Sequence, residues 1–354
     1  MRAGVGPALP SEVGTGQAVR VLFREWDART APDAEVEALL AMLNAALAAD
    51  QPGDPLWRND RFRECITELV PGQRRQAWTA HDGDGRLCGH VNMLLMGDTG
   101  VVELLVHPAD RRRGLGRRLL GRAVRWAHAQ GYTSVGVEVP GDTPGVAFYG
   151  GLGFRQAYAE VRSVLDLGSV DWLALGEMAR GIGSGYRLAY HRGGPPAELL
   201  ASYTLAKAEM RNAGGDGDLE LRPGSYDPQR LTESLACLER RGMSPHVIVA
   251  VHERSDEVAG LTEVVVPAQR PSRADQYDTV VVPDHRGYGI DRAMKARMLF
   301  ELRAAAPRVR EVQTWNDPQD RHLININADM GFRTDRPWLE YEAEVPALVA
   351  RLAR

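Results

Sequence analysis

Cysteine is scarce: Cys65, Cys88 and Cys237 are odd in number and widely spaced, which excludes a disulfide framework, and no Cys-x-x-Cys pair offers a zinc site. Such usage predicts a reducing compartment, and the expectation is a cytoplasmic protein. Lysine is rarer still. Lys207 and Lys295 are the only two, so nearly all of the 43 basic residues are arginine. Against 47 acidic residues they leave a formal net charge of -4, which creates no global field toward nucleic acid or an acidic membrane. No basic, aromatic-rich platform is present either, so no nucleic-acid partner is expected. No run approaches the ~20 apolar residues of a membrane span, and the opening MRAGVGPALPSEVGTGQ has no apolar core for a signal peptide, so no membrane partner is expected. A hydrophobic content of 44% rules out disorder and collagen, and 354 residues at roughly 150 per domain predict two domains, each with its own core.

The chain resembles itself. VHPADRRRGLGRRLL from Val106 has a partner in VVPDHRGYGIDRAMK from Val281, which puts Arg111 on Arg286 and Gly114 on Gly289. Further on, Leu152-Gly153-Phe154 meets Met330-Gly331-Phe332 at nearly the same offset. The two correspondences predict tandem duplication, with domains at 18–168 and 186–354 and a linker, 169–185, containing a short helix.

In the first half the patterns predict a strand at Val19–Phe23, a helix from about Ala34 to Ala48 and another near Arg61–Leu69. Strands near Gln76–His81, Leu87–Met96 and Val101–Val106 follow, separated by Gly/Asp turns. Leu115, Leu119, Leu120, Ala123, Val124 and Ala127 form one stripe of a helix that Gly131 stops. A strand at Ser134–Val139, a short helix near Val146–Leu152 and a strand at Arg155–Leu165 complete it. The second half predicts a helix from about Pro196 to Ala213, strands near 247–251, 260–265 and 279–282, a helix at Ile290–Ala305, a strand near Val312–Trp315, a helix near Arg321–Met330 and a closing strand around Trp338–Glu344.

The strand ending at Val106 leads through Pro108 into Arg111-Arg112-Arg113-Gly114-Leu115-Gly116 and a helix. Free backbone N–H groups, a positive dipole end and no Cβ at the close approach are what a pyrophosphate needs. The same residues also suit a plain strand-to-helix turn with a solvated arginine face. Downstream stands Ala147-Phe148-Tyr149-Gly150-Gly151-Leu152-Gly153-Phe154.

Together these resemble the GNAT superfamily of acyl-CoA-dependent N-acyltransferases: Arg111-x-x-Gly114-x-Gly116 matches the loop signature [Q/R]-x-x-G-x-[G/A], and the second segment matches A-x-Y-x-x-x-G-F. The likeness covers both halves and is similar to the tandem, mycothiol synthase-like type. It implies an α/β (α+β) class, two tandem GNAT folds, each a mixed, mostly antiparallel sheet flanked by helices. It further implies that the backbone amides of about Arg112 to Gly116 bind the pyrophosphate of acetyl-CoA or another acyl-CoA, with no metal. Tyr149 matches the tyrosine that contacts the thioester sulfur and protonates the leaving thiolate, or it is a packed core aromatic. Glu103 stands where the family places a general base, or plays a structural part. The N–H near Leu105 or Val106 would polarise the thioester carbonyl if the strand carries a bulge there.

Other residues carry less. Asp142 and His107 suit turns, and His90 alternates with apolar neighbours so as to face a cleft. The Arg117, Arg118, Arg122 and Arg125 face suits the 3'-phosphate of CoA, a carrier protein or plain solvent. In the second half Asp291 stands where the signature asks for Gly or Ala, and Asn327 replaces the tyrosine. Asp278 aligns with Glu103, while Trp315-Asn316 and the Asn325/Asn327 pair resemble a branch of actinobacterial GNAT proteins. That half is expected to be degenerate for CoA, although the opposite assignment stays open. The expected reaction is acyl transfer, most simply acetyl, to a primary amine of a small molecule by direct attack. An acyl-carrier protein as donor, or a non-catalytic CoA-binding or interaction role, are the alternatives; the chain is expected to be a monomer or homodimer. Acceptor choice would reside in Leu39 to Arg75, where Asp54, Asp60, Glu64 and Glu68 suit a cationic acceptor or a helix surface.

Overall fold

The computed structural model describes residues 21–97, 99–209 and 227–353. The first half runs β1 (Leu22–Trp26), α1 (Asp33–Asp50), α2 (Phe62–Thr67), β2 (Arg74–His81), β3 (Leu87–Met96), β4 (Thr99–Val106), α3 (Leu115–Ala129), β5 (Ser134–Pro140), α4 (Pro144–Gly151) and β6 (Arg155–Asp166). The rest runs α5 (Trp172–Arg180), β7 (Tyr186–Arg192), α6 (Leu200–Ala208), α7 (Pro228–Arg240), β8 (Met243–His252), β9 (Glu257–Pro267), β10 (Arg273–Val281), α8 (Ile290–Ala305), β11 (Glu311–Asn316), α9 (Arg321–Asp329), β12 (Arg333–Glu344) and α10 (Val345–Leu352). The expected strand start at Val19 and helix end at Ala213 lie outside the described residues.

The predicted stripe of α3 is wholly buried, from Leu115 to Ala127, and Gly114 opens the helix in the left-handed region at φ 77°. The structure adds β7, α7 and α10 to the predicted elements. α7 carries a start signal in Asp227, whose side chain accepts from the Arg230 N–H, followed by Pro228 at the first helical position. The segment expected as a linker is built into the second half instead. Its helix α5 is capped by Asp171, buries Leu175 and sets Trp172 edge-on to Phe300 of α8. An amphipathic helix beside an apolar surface lowers the free energy by docking rather than spanning water.

All twelve strands join one mixed sheet in the order β1-β2-β3-β4-β5-β12-β6-β11-β10-β9-β8-β7. The terminal strands of the two halves are exchanged. β12 pairs with β5 from Trp338↔Pro140 to Glu344↔Ser134, and β6 pairs with β11 from Glu311↔Asp166 to Asn316↔Val161. β6 and β12 pair with each other at the centre. One sheet face carries α3 and α10 over the first half and α8 and α5 over the second; the opposite face carries α1 and α2, then α6 and α7.

Candidate active site

Parallel pairing of β4 with β5 covers only Thr99–Val101 against Ser134–Gly136. Beyond it the strands part, and the gap widens toward Val106, the loop and the start of α3. The β3–β4 ladder carries no bulge near Leu105: β4 holds unbroken register with β3 from Met96↔Thr99 to Gly89↔Val106. The parting from β5 alone opens the gap. The His107 N–H donates to the Cys88 carbonyl, and the alternation of an antiparallel ladder then turns the Leu105 amide toward β3 and the Val106 amide toward the gap. Val106, not Leu105, has the free N–H.

The loop is shaped by left-handed backbone at Arg112 (φ 63°) and Gly114 (φ 77°). Among the described residues no acceptor takes the amides of residues 112–116, which cluster at the positive end of α3. The signature arginine is structural: Arg111 holds Asp50 at the end of α1 through both Nη atoms (2.6 and 2.7 Å), and its Nε donates to the Val106 carbonyl. Arg113 and Arg86 both pair with buried Asp110, which braces the loop. Gly116 packs closely within the protein itself, since a Cβ there would lie 3.3 Å from the Phe148 ring. The helix face beyond is engaged in packing: Arg117 donates to the Arg351 carbonyl of α10, and Arg118 and Arg122 stand over the Phe23 ring.

Tyr149 of α4 is buried between Phe148 and Phe154, ring centroids 5.0 and 5.1 Å away. Burial pushes its phenol well above the ordinary range, so the group keeps its proton as a donor must. Glu103 points from β4 to the face opposite α3. It is exposed and accepts 2.7 Å from Asn92 Nδ2, directly across on β3. A cavity of about 760 Å³ between the sheet and the α1–α2 side is lined by Glu103, Asn92, His90, Arg75, Trp26 and Ile66 among others. The carboxylates that suited either a cationic acceptor or a helix surface are each paired with arginine: Asp54 with Arg162 and Arg273, Asp60 with Arg58, Glu64 with Arg61, and Glu68 with Arg240. His107 closes the turn after β4 by accepting from the Ala109 N–H, and Asp142 takes a turn conformation at φ 61°.

The second half repeats the gap and fills it. β10 pairs with β11 only at 273–276 against 311–314, and it is β10 that carries a bulge, between Gln276 and Thr279. Asp278, counterpart of Glu103, is ion-paired to Lys207 at 2.8 Å, and Lys207 also holds buried Glu263. Asp291 turns back on its own helix start, accepting from the Arg292 N–H at 2.8 Å and from His322. Asn327 is buried and donates to Asn316 at 2.8 Å. Sequence reading missed Lys207, although a lone lysine in an arginine-rich chain, on an otherwise apolar helix, was a usable signal.

Among the described residues no helix is long and apolar enough to cross a membrane. Residues 39–154 match the Acetyltransferase (GNAT) family. The chain is similar to a mycothiol acetyltransferase of Kineococcus radiotolerans, 26% identical over 304 residues covering 84% of this chain and 89% of that one. Its fold is similar to a tandem GNAT protein from the clavulanic acid biosynthesis pathway, with a TM-score of 0.77 at 25% identity over 92% of this chain and 99% of that one. A GCN5-related N-acetyltransferase from Sphaerobacter thermophilus shares the fold at a TM-score of 0.65 and 17% identity, over 92% and 96% of the two chains.

Proposed function

We propose that this tandem GNAT acetyltransferase does its chemistry in the first half, taking acetyl-CoA at the Arg111–Gly116 loop and passing the acetyl group to a primary amine of a small molecule. The contrast between the halves carries the reading. In the first half the loop amides are free, Glu103 is held by a neutral amide and the buried Tyr149 keeps its proton, which supports this reading. In the second, the matching positions are spent on internal pairs. The arginine face of α3, which a carrier protein would need, is engaged by Arg351 and Phe23, and this favours CoA as donor.

Glu103 takes a proton from the amine, directly or through water. The nitrogen attacks the thioester carbonyl, forming the C–N bond while the Val106 amide donates to the developing oxyanion. The C–S bond then breaks, the thiolate takes its proton from Tyr149, and the nitrogen gives up its remaining extra proton, through solvent, to the Tyr149 phenolate, leaving an amide and CoA thiol. Glu103 gives its proton to solvent. Most of the rate comes from holding amine and thioester together in the gap.

Calorimetric titration of acetyl-CoA tests the site. We expect one site in the wild-type protein, a small loss in Gly116→Ala, whose Cβ presses on Phe148, and a loss of about tenfold or more in Gly116→Asp, which adds a carboxylate to the loop as well. Unchanged affinity in Gly116→Asp would remove the loop from the site.

A further inference from the structure

Three polar side chains lining the first-half cavity each hold a buried atom without a hydrogen-bond partner among the described residues: Asn92 Oδ1, His90 Nε2 and Arg75 Nε. Buried polar atoms are normally satisfied, so three orphans in one cavity wall, closed off as they stand, mark side chains that a small turn toward the cavity would let a ligand satisfy. Their chemistry describes it. The Glu103 carboxylate can only accept, which fixes the Asn92 amide nitrogen toward it and leaves Oδ1 as a bare acceptor that needs a donor. Arg75 Nε–H is a bare donor that needs an oxygen.

Arg75 also carries charge into the wall. Its Nη1 donates to the Ile66 carbonyl, a neutral group, and no carboxylate lies within ion-pair distance among the described residues. Burial disfavours the cation, and Glu103 offsets this only through space. A half-buried guanidinium in the cavity wall without a carboxylate partner favours a ligand oxyanion. Register places Arg75 on β2, with Asn92 on β3 and Glu103 on β4 on the same sheet face, so a ligand oxyanion at Arg75 has its other end at the carboxylate beside the gap. His90 lies on the same face one step beyond Asn92, on the side away from Arg75, edge-on to Trp26, and burial pushes its pKa down to about 4, so it lines the cavity as a neutral hydrogen-bonding group.

We propose that the acceptor is an amine that also carries a carboxylate, the amine held by Asn92 and Glu103 and the carboxylate by Arg75. The proposal rests on the transferase reading above and adds the acceptor's class. Arg75 is the specificity-determining residue. The cavity exceeds a single small amino acid, which leaves room for a larger body behind the two charged groups.

Acetyl transfer from acetyl-CoA is to be measured for matched pairs of amines with and without the carboxylate: lysine and cadaverine, ornithine and putrescine, tyrosine and tyramine, phenylalanine and phenethylamine. We expect kcat/KM to favour the carboxylated members by about tenfold or more, with the preference falling below about threefold in Arg75→Leu through KM and partly restored in Arg75→Lys. Because both members of a pair are read on the same variant, a folding defect lowers both and leaves the ratio intact. Equal or reversed preference in the wild type, or one common factor for both members in Arg75→Leu, overturns the proposal. So does a wild type that binds acetyl-CoA and acetylates none of the carboxylated amines, an outcome that leaves the CoA reading standing. If acetyl-CoA does not bind, the transferase reading falls instead, and calorimetric titration of the same pairs decides the cavity: tighter binding of the carboxylated members supports the proposal, and equal or weaker binding overturns it.

Discussion

Glu103 and Asp278 occupy matching strands, and their neighbours set them apart. A neutral amide leaves the Glu103 charge available, whereas the Lys207 ammonium consumes that of Asp278. A histidine on β8 shows burial acting on stability instead. His246 is 2% exposed, takes the Tyr190 hydroxyl at 2.7 Å and is pushed by burial from 6.5 down to about 4. Between those values the unfolded chain binds a proton that the folded chain refuses. Stability is therefore full above about pH 6.5 and falls as pH drops toward 4, by roughly 3 kcal/mol for a shift of this size. His90 adds to the slope in the same window. Urea unfolding at pH 7 and pH 5 should show the loss, and His246→Asn should flatten it; an equally steep dependence in that variant would remove His246 as the source. Of the site residues, Arg111-x-x-Gly114-x-Gly116, Tyr149 and Glu103 were readable because each sits in a local motif or beside one. Asn92, Arg75 and Lys207 were not, since their meaning lies in what stands across the sheet.

Helices with a strong apolar stripe, α3 and α8, fall within a residue of where periodicity puts them, because local sequence and burial agree there. Two of the misses have a structural reason. β7 is an edge strand of mixed polarity, and the eight-residue α10 gains its stability from docking. Val345 and Leu348 of α10 are buried in the first-half core, beside α3, and Arg351 receives Arg117. Removing residues 345–354 should therefore weaken the first half although the cut lies in the second. At about 1.5–3 kcal/mol for each large apolar side chain, the loss is roughly 3–6 kcal/mol, seen as a lower Tm and weaker acetyl-CoA binding. A truncated protein with wild-type Tm would mean that α10 stabilises nothing.

For the whole molecule, the exchange of β6 and β12 joins what would otherwise be two separate sheets, and a buried polar cluster lies under the crossing. Arg162 of β6, 2% exposed, is bound by both oxygens of Asp54 at 2.6 and 2.9 Å, and also holds Asp335 of β12 and Gln313 of β11. Arg273 of β10 shares Asp54 at 2.9 Å. Burial alone would raise the Asp54 carboxyl, but hydrogen bonds from Arg162 and Arg273 hold it below the usual range. Asp54→Ala leaves two buried guanidinium groups short of a partner and should cost about 3–5 kcal/mol, read as a lower urea midpoint of a single transition common to both halves. Two separated transitions would mean that the halves fold independently.

By itself the sequence determined the duplication, the α/β pattern and the strand–loop–helix form of the Arg111–Gly116 segment, because turn glycines, apolar period and short motifs act over a few residues. Tertiary structure alone decided that the terminal strands are exchanged, that the supposed linker is core, that the bulge lies in the second half, and that Asp54 binds arginine. All but the bulge depend on contacts between segments 100 or more residues apart, and strand exchange between two similar sheets leaves the local hydrophobic pattern of every strand unchanged.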